Sequence, residues 1–216
     1  MNKISELLSQ GVQIIDIEKI DIRGNIKCGK NVIIDTNVIF HGDITIGDSV
    51  IIGSNSIIRD SIIGNYTEIN PYSMVNKSQI MSHCRIGPYA RIRKNCVIGE
   101  NSQIGNFVEI KNSSIGDHCR INHMAFIGDA KLENQVTIGA GTITCNHDGI
   151  GVNKTLIRSG AFIGSNVNLI APVTISSKAT IGSGSTITSD APKEKLTLER
   201  SKQITIENWK GPKTRR

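Results

Sequence analysis

Rings are scarce in this 216-residue chain: Phe, Trp and Tyr together make up 4% of it, with a single tryptophan. So few rings point to a narrow interior filled by Ile, Val and Ala rather than to the core of an ordinary globule. No run of eighteen apolar residues occurs, which argues against a membrane-spanning helix, and Met1–Gly11 has no signal-peptide pattern. A cytoplasmic protein without a membrane partner is expected. The five cysteines are an odd number with no Cys-x-x-Cys spacing, which argues against a disulfide framework and a zinc knuckle. A basic stripe interleaved with aromatics is also missing, so the net charge of +6 points to a small anionic substrate or cofactor rather than to nucleic acid.

What the chain does contain is a six-residue unit, an aliphatic residue usually followed by glycine, repeated about two dozen times between Ile22 and Ile187. Ile86, Ile92, Ile98, Ile104 and Ile110 fall six apart without a break, as do Ile157, Ile163, Leu169, Ile175, Ile181 and Ile187. That period fits neither a helical stripe nor two-faced strand alternation. It predicts an all-β fold: a parallel β-helix of hexapeptide repeats in which three hexads make one triangular coil and one aliphatic residue per hexad points inward. Steps of five at Ile58–Ile63, Val75–Ile80, Ile110–Ile115 and Ile127–Leu132 trim a corner without moving the inward row. Eight or nine coils, each adding about 4.8 Å, are expected. Cys28 sits in the inward slot, and Cys84, Cys96 and Cys119 take the fifth place of their hexads, so all four read as small buried hydrophobes. Cys145 alone falls outside the register.

Three segments flank or interrupt the column, and they divide the chain. Residues 1–11 form a docking helix, with Ile4, Leu7 and Leu8 on one face and Gly11 at its end. The β-helix domain spans residues 12–190. Within it Cys145–Lys154 (CNHDGIGVNK), carrying two glycines and two asparagines, breaks the rhythm as a protruding loop. From residue 191 to 216 the repeat dissolves into an irregular tail with Arg200, Trp209 and a basic end.

The stretches IGPYARIRKNCVIGENSQIGNFVEIKNSSIG, NHMAFIGDA, IGAGTITCNHDG, FIGSNVNLIAPVTI and LERSKQ are specific. In this order they resemble the acetyltransferase half of the bifunctional N-acetylglucosamine-1-phosphate uridyltransferase/glucosamine-1-phosphate acetyltransferase family. The similarity runs from near Val12 into the tail, and no counterpart of that family's nucleotidyltransferase domain appears, so a free-standing acetyltransferase is expected. The resemblance implies a left-handed helix, a homotrimer, and acetyl-CoA lying between neighbouring columns, with no metal. It also implies transfer of acetyl to an amino-sugar phosphate, most directly glucosamine 1-phosphate. His123 matches the family's catalytic histidine, suited to deprotonate an amine near neutral pH. Glu109, on the preceding coil, is expected to orient that imidazole. Ala140, Asn146, His147, Ser165, Ser183 and Arg200 match positions along the acetyl-CoA path, although His147 replaces a tyrosine and Ser183 stands where alanine is common.

Arg93 and Lys111 occupy a slot after the inward isoleucine that is normally glycine, and they lie eighteen residues, one coil, apart. Two cations stacked about 4.8 Å apart are expected to need an anion between them, and both match residues that bind the sugar phosphate in the family. Phe126, Thr137 and Val152 depart from that family's sugar site, leaving open a related amino sugar or Lys154 as a substitute cation. Two other readings use the same fold: a γ-class carbonic anhydrase with zinc on His83, His118 and His123, and a catalytically inactive scaffold.

Overall fold

The computed structural model describes residues 3–209 and residue 211; Asn2 and the basic end from Pro212 lie outside the described residues. Most hexads contribute a strand of two or three residues whose central or second side chain turns inward, and the strands stack in parallel on three faces. The first face carries eleven stacked strands, from Gln13–Ile14 to Leu196–Thr197. The second and third faces are joined at the N-terminal end, where Asp21–Cys28 and Ile39–Ile46 run through both. Stacked coils are seventeen or eighteen residues long over most of the column; Glu109 pairs with Phe126 and Arg91 with Glu109, for example.

Eleven rungs exceed the expected eight or nine coils because the column extends past both ends of the legible repeat. Gln13–Ile14 pairs with Ile33–Ile34 before the first hexad, and Leu196–Thr197 pairs with Thr180–Ile181 after the last. Ala191 is fully buried and bridges Ile175, so the first part of the tail continues the helix rather than leaving it. Neither segment has the glycine that marks a hexad, yet each supplies the backbone pairing an end coil needs.

The inward row is as the register requires. Ile86, Ile92, Ile98, Ile104 and Ile110 are each 1% exposed or less, and each such side chain contributes about 1.5–3 kcal/mol on burial. Corners are turned by residues in the left-handed region, many of them asparagine (Asn95 at φ 60°, Asn101 at 57°), which tolerates that conformation better than most side chains. Cys84, Cys96 and Cys119 are buried, and burial pushes the Cys84 thiol up to about 11 and that of Cys28 up to about 12. Cys145 is a correction: Thr144 fills the inward slot six residues after Ile138, so Cys145 ends the regular strand Ile143–Cys145. The Thr144 hydroxyl is tolerated inside because it accepts from the Gly128 N–H at 2.8 Å and donates to the Gly128 carbonyl at 3.0 Å.

Helix α1, Lys3–Ser9, covers the open N-terminal coil with Leu7 buried and Ile4 half-buried; Leu8, expected on the same face, is exposed. No helix among the described residues is long and apolar enough to cross a membrane.

Candidate active site

The second face collects the chemistry. His123 ends the first-face strand Arg120–His123 and stands exposed at the corner leading onto the second face. Its partner is Asn106, one coil below in register, and Nδ1 donates to Asn106 Oδ1 at 2.7 Å. An amide oxygen can only accept, so in the neutral ring this contact places the proton on Nδ1 and the lone pair on Nε2. Glu109, expected to orient the imidazole, is engaged elsewhere: it is in register with Phe126, and its carboxylate accepts from Arg93 at 2.8 Å and lies 3.5 Å from Arg91. The coil from Asn106 to His123 is seventeen residues, so a residue fourteen back falls on the next face. Asn106 holds the ring.

Arg93 and Lys111 do occupy adjacent coils at the far edge of this face, but they do not form an unbalanced pair. Arg93 carries Glu109, and Lys111 Nζ lies 3.7 Å from Asp129. The expected charge stack is therefore already offset by carboxylates, and three cations, Arg91, Arg93 and Lys111, face two acids across neighbouring coils. Lys111 is in register with Gly128, five residues beyond His123, which separates imidazole and ammonium along the face by on the order of 10 Å. Phe126 leans over Gly128 between them. A Cβ at Gly128 would come within 2.6 Å of Phe126 Cζ and 2.9 Å of Asn146 Nδ2, so only glycine lets ring and amide converge there.

The loop after Cys145 is a short hairpin with its own internal bonds. His147 bridges Val152, and Asp148 accepts from the N–H groups of Gly151 (2.7 Å) and Ile150 (2.9 Å) and from the Asn153 amide (2.9 Å). Those backbone donors hold the Asp148 carboxyl down at about 2. His147 Nδ1 accepts from Gly149 N–H, and Ile150 at the tip is 98% exposed. Ala140, Ser165 and Ser183 follow the inward isoleucine and its glycine at one corner on three successive coils. The Ala140 carbonyl accepts from Asn166, and the Ser165 N–H donates to the Ser183 hydroxyl at 3.1 Å. Arg200 lies at the end of this row, its Cδ 3.7 Å from where a Cβ on Gly184 would sit. These four line one edge of the column, whereas Asn146 and His147 stand at the opposite edge of the second face. Thr137 lies on the first face, and Lys154 lines a groove of about 550 Å³ that also includes Asn112, Asp129 and Leu156.

The sequence model of the family described as the GMPPB C-terminal domain matches residues 14–124, just over half of the chain. The chain belongs to this family. Curated relatives match over nearly all of it. The "Bifunctional protein GlmU" of Ralstonia pickettii (strain 12J) is 47% identical over 211 residues, covering 98% of this chain and 46% of the relative. That of Janthinobacterium sp. (strain Marseille) is 46% identical over 206 residues, covering 95% and 46%. The chain thus spans about half the length of the curated relatives it matches. Among solved structures, the UDP-N-acetylglucosamine acyltransferase from Campylobacter jejuni is similar over 86% of this chain and 71% of its own, at 20% identity and a TM-score of 0.51. That likeness speaks for the fold, a left-handed β-helix.

In this member of the GMPPB C-terminal domain family, the histidines of the zinc alternative are not gathered in one chain. His83 stacks on Tyr66 with ring centroids 4.9 Å apart, and His118 sits at a left-handed turn (φ 56°) before the first-face strand Arg120–His123 that His123 ends. Among the described residues, no group of three or more His, Cys, Asp or Glu could hold a metal ion. Two residues of the site, Asn106 and Asp129, went unread in the sequence. The signal was present: the step of five at Ile110–Ile115 makes the coil seventeen residues long, which sets Asn106 under His123 and Asn112 under Asp129.

Proposed function

We propose that this chain is an acetyl-CoA-dependent N-acetyltransferase acting on an amino-sugar phosphate, glucosamine 1-phosphate first among them. The observation that carries the reading is the imidazole of His123, fixed through Nδ1 by an acceptor-only oxygen and left with a free Nε2 at an exposed corner. In the reaction, His123 Nε2 takes a proton from the sugar ammonium, or from the amine as its nitrogen adds to the thioester carbonyl carbon. The C–S bond then breaks, and the imidazolium can return a proton to the departing thiolate. Arg93 and Lys111 supply the charge for the phosphate, sharing it with Glu109 and Asp129 rather than waiting bare. The row Ala140, Ser165, Ser183 and Arg200, with Asn146 and His147, supplies the acyl-donor contacts.

The cleft beside His123, about 240 Å³ and walled by Arg85, Pro88, Gln103 and Asn106, is smaller than most small-molecule pockets. A homotrimer in which a neighbouring column closes this cleft and completes the acetyl-CoA groove is part of the proposal. His123→Ala should lower turnover roughly 10²–10⁴-fold, measured as release of CoA thiol, with little change in acetyl-CoA affinity. Turnover within a few-fold of wild type would make His123 a structural residue.

A further inference from the structure

One buried acid does more than offset the charge of Lys111. Asp129 is 7% exposed and sits at a corner with φ 51°. Its two carboxylate oxygens accept from the Asn112 amide at 2.5 Å and the Asn146 amide at 2.5 Å, and the second of them lies 3.7 Å from Lys111 Nζ. Its backbone works in the same direction, donating to the Lys111 carbonyl at 2.9 Å and accepting from the Thr155 N–H at 3.3 Å. Asn146 opens the hairpin loop and Thr155 follows its close. A single residue therefore pins both roots of that loop and the cation proposed for the sugar phosphate.

A carboxylate accepts and never donates, so Asp129 also dictates which way the Asn146 amide faces: the NH₂ end is held, and the carbonyl end is left for other partners. An uncharged residue of the same shape would lose this. The amide of an asparagine at 129 would set donor against donor unless a neighbouring amide turned over, and it would leave Lys111 without its counter-charge.

We propose that Asp129 is a positioning residue that joins the two substrate half-sites, orienting Asn146 for the acyl donor while restraining Lys111 for the phosphate. This rests on the acetyl-transfer reading above and extends it to a residue that touches neither substrate. A purely structural role would weaken both half-sites together. The proposed role separates them, because neutralising Asp129 frees Lys111 while releasing Asn146.

The test is calorimetric titration of the full chain with CoA and, separately, with glucosamine 1-phosphate. Asp129→Asn should weaken CoA binding about tenfold or more while glucosamine 1-phosphate binds as tightly as before or tighter. Asn112→Gly removes one donor from Asp129 at a left-handed position that glycine accepts. It should weaken CoA two- to five-fold and leave the sugar phosphate unchanged, and it carries the test if Asp129→Asn does not fold. Equal losses for both ligands, or CoA affinity unchanged in both variants, would overturn the role of Asp129. A wild-type chain that binds neither ligand would overturn the acetyl-transfer reading along with it.

Discussion

At the scale of single residues, orientation counts for more than proximity in sequence. Asn106 holds the proton of His123 on Nδ1 with a neutral oxygen, so the imidazole gains direction without an adjacent negative charge. Asn106→Asp should therefore keep the ring in place but favour its protonated form. The acidic limb of the kcat/KM profile should move up by about one pH unit; an unmoved limb would mean that Asn106 does not face the titrating ring. Lys111 gives a second residue-scale expectation, opposite to the one the stacked charges suggested. Two bare cations would be relieved by losing one, but Asp129 is buried beside Lys111. Lys111→Ala should leave that carboxylate with its two amide donors only and lower Tm by a few degrees. A raised Tm would restore the picture of repelling cations. Glu109, fourteen residues before His123 and so less than one coil away, lies on the next face in register with Phe126, where it pairs with Arg93.

At the scale of elements, the hairpin of residues 146–154 is organised by one carboxylate. Asp148 is held at about 2 by the backbone N–H groups of Gly151 and Ile150. A depressed acid contributes order that is fully present above its unfolded value near 3.9 and is lost as pH falls through the folded value. The loop should accordingly keep its form at neutral pH and loosen between about pH 4 and 2. Asp148→Asn should loosen it at pH 7, read as faster limited proteolysis between Asn146 and Lys154. Equal cleavage of both proteins would show that the hairpin does not depend on this charge. The loop was legible from its broken rhythm and its glycines. Its internal bonding was not, because Asx-type contacts depend on how a short chain closes rather than on any period.

For the whole molecule, the repeat made most of the fold readable. One inward side chain per hexad fixes the faces, the corners and which residues stack, and the rows at Ile86–Ile110 and Ile157–Ile187 are buried as the period requires. The ends were harder to read. Gln13–Ile14 and Leu196–Thr197 join the column by backbone pairing, with Ile14 packed against the core, and pairing outside the glycine-marked hexads leaves no trace in the period. The residues of the candidate site were named from motif matches, and the structure sets His123 at the corner that leads onto the face whose far edge carries Arg93 and Lys111. Their joint action across that face is the central claim.

The most direct measurement of that claim is release of CoA thiol from acetyl-CoA by the purified chain across a panel of glucosamine 1-phosphate, glucosamine 6-phosphate and free glucosamine. The account predicts steady release with glucosamine 1-phosphate, matched by formation of its N-acetyl product. It also predicts that free glucosamine will be at least about tenfold poorer in kcat/KM, because it lacks the charge-assisted bonds to Arg93 and Lys111. Release that is equal with and without the phosphate would contradict the role of that pair. No release with any amino sugar would contradict the account as a whole.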